Sequence, residues 1–106
     1  MGLFDFLKGQ DINAGVDRYK ATPKAVLLDV RTREEYAERH IPDSCNLPLS
    51  EIGQAATVIS DRSTPVFVYC RSGNRSNQAM IKLRNMGYQN VENIGGIDSY
   101  RGKVER

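Results

Sequence analysis

One hundred and six residues, 40% of them hydrophobic and 26% charged, are the length and balance of one compact domain rather than a disordered segment or a membrane-embedded protein. Two cysteines, neither in a CxxC pair, exclude a disulfide scaffold and a zinc ribbon, so no structural metal is expected. A formal net charge of +2 makes no case for nucleic acid or anionic lipid, although the charge is uneven: through Ser60 there are seven basic residues against nine acidic, and from Asp61 onward eight against four.

The first stretch, Met1 to Lys8, has no apolar run long enough for a signal peptide or a membrane span, and the expected compartment is the cytoplasm. Leu3, Phe4 and Leu7 share one helical face; a short helical extension over residues 1–9, folded onto the domain, is preferred to a helix lying on a membrane. Asp11 to Lys20 reads as a helix that offers Ile12, Val16 and Tyr19 to a core. Ala25 to Val30 is apolar apart from Asp29, the pattern of a strand buried on both faces. Thr32 and Glu35 form a capping box that starts a helix through about Arg39, and the Ile41-Pro42-Asp43-Ser44 turn follows. Arg31 and Glu35, four apart, are spaced to pair, Asp29 to tie down loop backbone, and His40 to hold its turn. A brief strand at Cys45 to Leu47, with Cys45 in the core, and a short helix from Ser50 complete the first half.

Val66 to Tyr69 is the second clear interior strand, and it delivers the chain to Cys70. A long amphipathic helix is expected over Ser76 to Met86, with Ala79, Met80, Leu83 and Met86 on one face and Gly87 ending it. A last short strand, Val91 to Ile94, leads into Gly95-Gly96. Strands separated by helical stretches too long for hairpins predict an α/β fold: a central, mostly parallel sheet flanked by helices on both faces. Ligands of such sheets sit beyond the carboxyl ends of the strands, which is where Cys70 stands.

The residues after Cys70 are suited to an anion. Gly73 lets the backbone curl so that successive N–H groups point inward, and the positive end of the following helix faces the same spot. Arg71 and Arg75 add cationic charge, and the whole arrangement favours the ionised sulfur as a nucleophile. No carboxylate lies between Arg62 and Val91, a segment that also holds Lys82 and Arg84; on charge alone it reads equally as an anion site or a solvated basic face.

LLDVRTREEY at Leu27 to Tyr36, RHIPDSCNLPL at Arg39 to Leu49, VYCRSGNRS at Val68 to Ser76 and the final Gly95-Gly96-Ile97 together resemble the single-domain rhodaneses, the thiosulfate sulfurtransferases. The resemblance implies one rhodanese domain over residues 1–106, its core about residues 12 to 100. It further implies that Cys70 attacks the outer sulfur of thiosulfate and carries that sulfur as a persulfide to a thiophilic acceptor such as cyanide or a thiol. Gly73, Asn74 and the rest of the Arg71 to Ser76 backbone would face that sulfur, Arg71 and Arg75 would attract the sulfonate, and the Ser72 and Ser76 hydroxyls would donate to the persulfide. Neither a cofactor nor a metal is implied; a protein sulfur acceptor is compatible with the pattern, and a monomer is the default expectation. Two positions depart from the family pattern: RHIPDS stands for the usual GHIPGA, and Tyr100 for the usual Trp.

Two alternatives remain open on the sequence. One is a cysteine-dependent phosphatase or arsenate reductase, although such enzymes enclose five residues between Cys and Arg and this loop encloses four. The other is a persulfide carrier or binding module serving a protein partner.

Overall fold

Burial of the central strands on both faces explains how the chain folds. The computed structural model describes residues 10–106, so the helical extension expected over residues 1–9 lies outside it. Strands β1 (Val26–Asp29), β2 (Cys45–Asn46), β3 (Val66–Cys70) and β4 (Val91–Gly96) form one sheet in the order β2-β1-β3-β4, and every pairing is parallel. Successive strand residues point to opposite faces. Leu28, Val66, Val68 and Cys70 therefore enter one core, and Leu27, Phe67 and Tyr69 the other. The first core is covered by Ala79 and Leu83 of a helix at Asn74–Asn85 and by Ile52 and Ala55 of a 3₁₀ helix at Leu49–Thr57. The second is covered by Ile12 and Val16 of helix α1 (Ile12–Ala21). The expected α/β sheet with helices on both faces is what forms.

Helix α1 lies so close to the sheet that a Cβ on Gly15 would stand 2.4 Å from Cβ of Ile94. Helix α2 (Arg33–Glu38) buries no residue, and its start rests on the cap. Thr32 Oγ1 accepts the Glu35 N–H at 3.1 Å while Glu35 Oε1 accepts the Thr32 N–H at 2.9 Å. Its value to the molecule is positional, because it aims Glu35 across the sheet end.

The expected Arg31–Glu35 side-chain pair does not form. Arg31 precedes the cap and is not in the helix, so the four-residue spacing does not bring the two side chains together. Instead Arg31 turns back to Asp29, with Nη2 at 2.6 Å from Oδ2, while Asp29 also accepts the Arg31 N–H at 2.8 Å. Both residues are buried, and Arg31 gives its remaining N–H groups to the Arg39 and Glu35 carbonyls. Burial opposes the Arg31 charge, but the hydrogen bonds and charge of Asp29 outweigh it and raise its ionisation above the ordinary arginine value.

His40 packs back onto helix α2 rather than onto the turn it was expected to hold: Nδ1 pairs with the Tyr36 carbonyl at 2.8 Å, the ring stacks on Tyr36, and the backbone bridges to Glu105. The Tyr69 hydroxyl ties β3 to the same region by accepting the Ile41 N–H at 3.1 Å. Burial, followed by the nearby Asp29 charge, pushes the Tyr69 phenol up. Cys45 is half-buried and packs against the first core. Among the described residues, no helix is long and apolar enough to cross a membrane.

Candidate active site

Strand β3 ends at Cys70, and the next helix, α3 (Asn74–Asn85), begins two residues earlier than its periodicity predicts. The cause is Gly73, whose φ of 106° turns the chain abruptly and makes it the residue before the first helical turn. Between strand end and helix start the backbone folds over the sulfur. Gly73 N–H points at Cys70 Sγ from 3.1 Å, and Ser76 Oγ lies 3.3 Å from the same atom. The sulfur thus sits at the positive end of a helix, with a backbone donor aimed at it and a hydroxyl oxygen beside it. Cys70 is only 1% exposed, so a reactant must be small or present a narrow terminal atom.

The loop is held from below by β4. Asn93 is buried and makes three bonds: Nδ2 donates to the Gly73 carbonyl at 3.1 Å, and Oδ1 accepts from Ser76 Oγ at 2.7 Å and from the Gly95 N–H at 3.0 Å. Ser76 is itself buried and also lies 3.1 Å from the Gly73 carbonyl oxygen. Its hydroxyl has one proton for three neighbours, so its orientation follows whichever needs the proton most. Gly96 completes the support by close approach: a Cβ there would lie 2.1 Å from the Arg71 carbonyl oxygen and 2.6 Å from Ser72 Cα. Sequence reasoning missed Asn93. The available signal was its place two residues before Gly95, where an Asn side chain accepts a backbone N–H two residues on.

The loop arginines are not free. Arg75 makes a two-pronged pair with Glu35, 2.7 Å to Oε1 and 2.9 Å to Oε2. That contact holds the Glu35 carboxyl down at about 2, the Arg75 hydrogen bond being the largest cause and the Thr32 cap assisting against partial burial. Reciprocally, Glu35 raises the Arg75 ionisation, with a smaller contribution from the Cys70 sulfur. Arg71 projects outward, two-thirds exposed, and its Nε stands 3.3 Å from Asp98 Oδ2. Ser72 and Asn74 are exposed, and of the two loop serines it is Ser76 that brings a hydroxyl to the sulfur.

The wider basic segment is not gathered at the loop. Arg62 lies over the Tyr88 ring and donates to the Met86 carbonyl, while Arg84 donates to the Val91 carbonyl. Among the described residues, no group of three His, Cys, Asp or Glu side chains is placed to hold a metal ion.

Residues 13–103 match the family model of the rhodanese-like domain. The chain belongs to the rhodanese family. Among curated relatives of this rhodanese, the thiosulfate sulfurtransferase PspE of Escherichia coli is 42% identical over 71 residues, covering 66% of this chain and 68% of that protein. The adenylyltransferase and sulfurtransferase uba4 of Ogataea parapolymorpha is 33% identical over 97 residues, 91% of this chain, yet this chain spans only 25% of its length. Among solved structures, a rhodanese with anions from E. coli superposes with a TM-score of 0.72 at 36% identity, covering 77% of this chain and 98% of that one. This kinship supports a sulfurtransferase-type reaction for the rhodanese domain.

Proposed function

We propose that this rhodanese moves sulfane sulfur from thiosulfate, or from another persulfide-type donor, to a thiophilic acceptor through a persulfide on Cys70. The observation that carries the reading is the seating of one buried sulfur at the start of α3, where the Gly73 N–H and the Ser76 hydroxyl converge on it. The Gly73 N–H is fixed before any reactant arrives, and the Ser76 hydroxyl, which rests 2.7 Å from Asn93 Oδ1, needs only to rotate its proton to meet negative charge on sulfur.

In the first half-reaction the Cys70 thiolate attacks the outer sulfur of thiosulfate. A bond forms between the two sulfurs, the bond from the outer sulfur to the sulfonate sulfur breaks, and sulfite leaves with that electron pair. Cys70 then bears a persulfide whose terminal sulfur takes the negative charge. In the second half-reaction an acceptor attacks that terminal sulfur: cyanide leaves as thiocyanate, and the thiolate returns. The Arg71 to Ser76 loop is the substrate-binding element, with the Gly73 N–H donating to sulfur and the Ser76 hydroxyl turning from Asn93 to do the same. Arg71, exposed although paired with Asp98, is the guanidinium that meets the sulfonate, and Asn74 and Ser72 form the rim. Arg75, clamped to Glu35, shapes the loop.

The test is intact-protein mass spectrometry after mixing with thiosulfate. One added sulfur atom is expected, removed by cyanide or a reductant and absent in Cys70→Ser. An unchanged wild-type mass overturns the reading, and hydrolysis of an aryl phosphate in its place assigns the loop to phosphoryl chemistry.

A further inference from the structure

Beside the Cys70 loop lies a cavity of about 290 Å³, and Cys70 itself is not on its wall. Two charges of that wall are engaged elsewhere: Arg31 is neutralised by Asp29, and Glu35 by Arg75. Three guanidinium groups, on Arg39, Arg71 and Arg106, then face the carboxylates of Glu38 and Asp98, which leaves an excess of one positive charge. Asp98 is shared, its Oδ1 accepting from Arg39 Nη2 and its Oδ2 from Arg71 Nε, each at 3.3 Å. Arg39 and Arg106 are brought together by the backbone. His40 and Glu105 form an antiparallel bridge, exchanging N–H to carbonyl bonds of 2.8 Å in both directions. Residues flanking such a bridge stand opposite one another, about 4.5 Å apart at Cα, so Arg39 faces Arg106. Like charges directly opposite are destabilising, and a carboxylate seated between the two guanidinium groups removes that penalty. Arg39 is moreover this chain's own feature, standing where the family pattern has Gly.

The cavity adjoins the sulfur without containing it. Arg71 follows Cys70 in the chain, and Glu35 holds Arg75, whose ionisation the Cys70 sulfur raises. Arg39 and Arg106 lie farther out, with Asp98 between Arg39 and Arg71. A reactant that touches both the sulfur and the outer pair is therefore elongated, with sulfur at one end and a carboxylate at the other. The wall's two carboxylates accept from an ammonium or amide group on the same molecule. Two carboxylates and one ammonium group give such a molecule a net charge of about −1, the complement of the wall. We propose that Arg39 and Arg106 form a carboxylate-binding subsite that selects the sulfur acceptor, an acidic peptide thiol. This deepens, and rests on, the sulfur-transfer reading above. The step balances: the acceptor sulfur bonds to the terminal sulfur of the Cys70 persulfide, and the bond from that sulfur to Cys70 Sγ breaks. Its electron pair returns to Cys70 as the thiolate, and the acceptor's thiol proton ends on the transferred sulfur, giving R–S–SH.

The experiment loads Cys70 with sulfur from thiosulfate, removes the donor, and follows unloading by quenched intact-mass analysis with glutathione or the uncharged thiol 2-mercaptoethanol as acceptor. Arg39→Ala is suitable because the side chain is about half exposed, and the Arg39 carbonyl that receives Arg31 Nη2 belongs to the backbone and is kept. Expected is a fall of about three- to tenfold in the ratio of kcat/KM for glutathione to that for 2-mercaptoethanol, carried by the glutathione KM. Arg106→Ala is expected to lower the same ratio. Raising the salt from about 0.01 M to about 1 M, which shortens the screening length from about 30 Å to about 3 Å, should bring the wild-type ratio down toward that of the variants. Equal slowing with both acceptors, as a purely structural role for Arg39 would give, or a ratio within about twofold of wild type in both variants, overturns this assignment and leaves sulfur transfer standing. Failure of thiosulfate to load the wild type overturns the sulfur-transfer reading and this assignment with it.

Discussion

Gly96→Ala tests whether the loop over Cys70 is braced by direct backbone contact. The added methyl would lie 2.1 Å from the Arg71 carbonyl oxygen and 2.6 Å from Ser72 Cα. Carbon atoms settle at about 3.5–4.0 Å, so one of the two segments must retreat by about 1 Å. Neither obstacle is a flexible side-chain end: both are main chain, and the Arg71 carbonyl is also engaged by the Asp98 N–H. Overpacking of this kind costs about 1–3 kcal/mol of stability. A displacement of about 1 Å at a reacting centre costs on the order of a hundredfold in rate. The assay pairs urea unfolding with the rate of sulfur loading on Cys70. Gly53→Ala is the matched comparison, because nothing lies within 4 Å of its added methyl. That variant should keep the wild-type rate and hold or gain up to about 1 kcal/mol of stability. Loading by Gly96→Ala within about twofold of wild type would refute the bracing argument.

Two further outcomes follow from the ion pair and the buried amide beneath the loop. The Glu35 carboxyl sits at about 2 in the folded chain against an ordinary 4.5. Its stabilisation is thus complete above the ordinary value and is lost as pH falls toward 2. The shift corresponds to at most about 3 kcal/mol, which screening at these partly exposed side chains reduces to about 1–2 kcal/mol. Glu35→Gln keeps a cap acceptor, so its stability deficit in urea unfolding should be present at pH 7 and close near pH 2; a deficit equal at both values contradicts the linkage. Asn93→Leu removes the acceptor of the Gly95 N–H and the donor to the Gly73 carbonyl. It should cost about 1–3 kcal/mol and slow sulfur loading, and retention of both properties would show that Asn93 does not position the loop.

What could be read from the chain without coordinates was whatever is local. The Thr32–Glu35 cap, the apolar stripe of α3 and the interior strands are set by neighbours a few residues apart, and each formed close to its expected place. The stretch from Cys70 to Ser76 was legible because its glycine, serines and arginines are contiguous. Its long-range partners were not. The Arg75–Glu35 pair spans 40 residues and depends on α2 and α3 both starting at the same end of the sheet. Spacing suggested Arg31 for Glu35, but that rule presumes both residues are helical, and Arg31 is not. Asn93 reaches the loop only because β4 pairs with β3 and the register slips between Val68 and Tyr69, an irregularity that no hydrophobic pattern announces.

The brace under Cys70 comes from the last strand in the chain and the 3₁₀ turn that follows it. Asn93, Gly96 and Asp98 are each among the final fifteen residues, and they reach back to Gly73, Ser76 and Arg71. During synthesis the cysteine therefore emerges well before its supports do. Competence at the sulfur and completion of the sheet are one event, so a truncated chain ending before Val91 lacks the foundation of the loop as well as an edge strand.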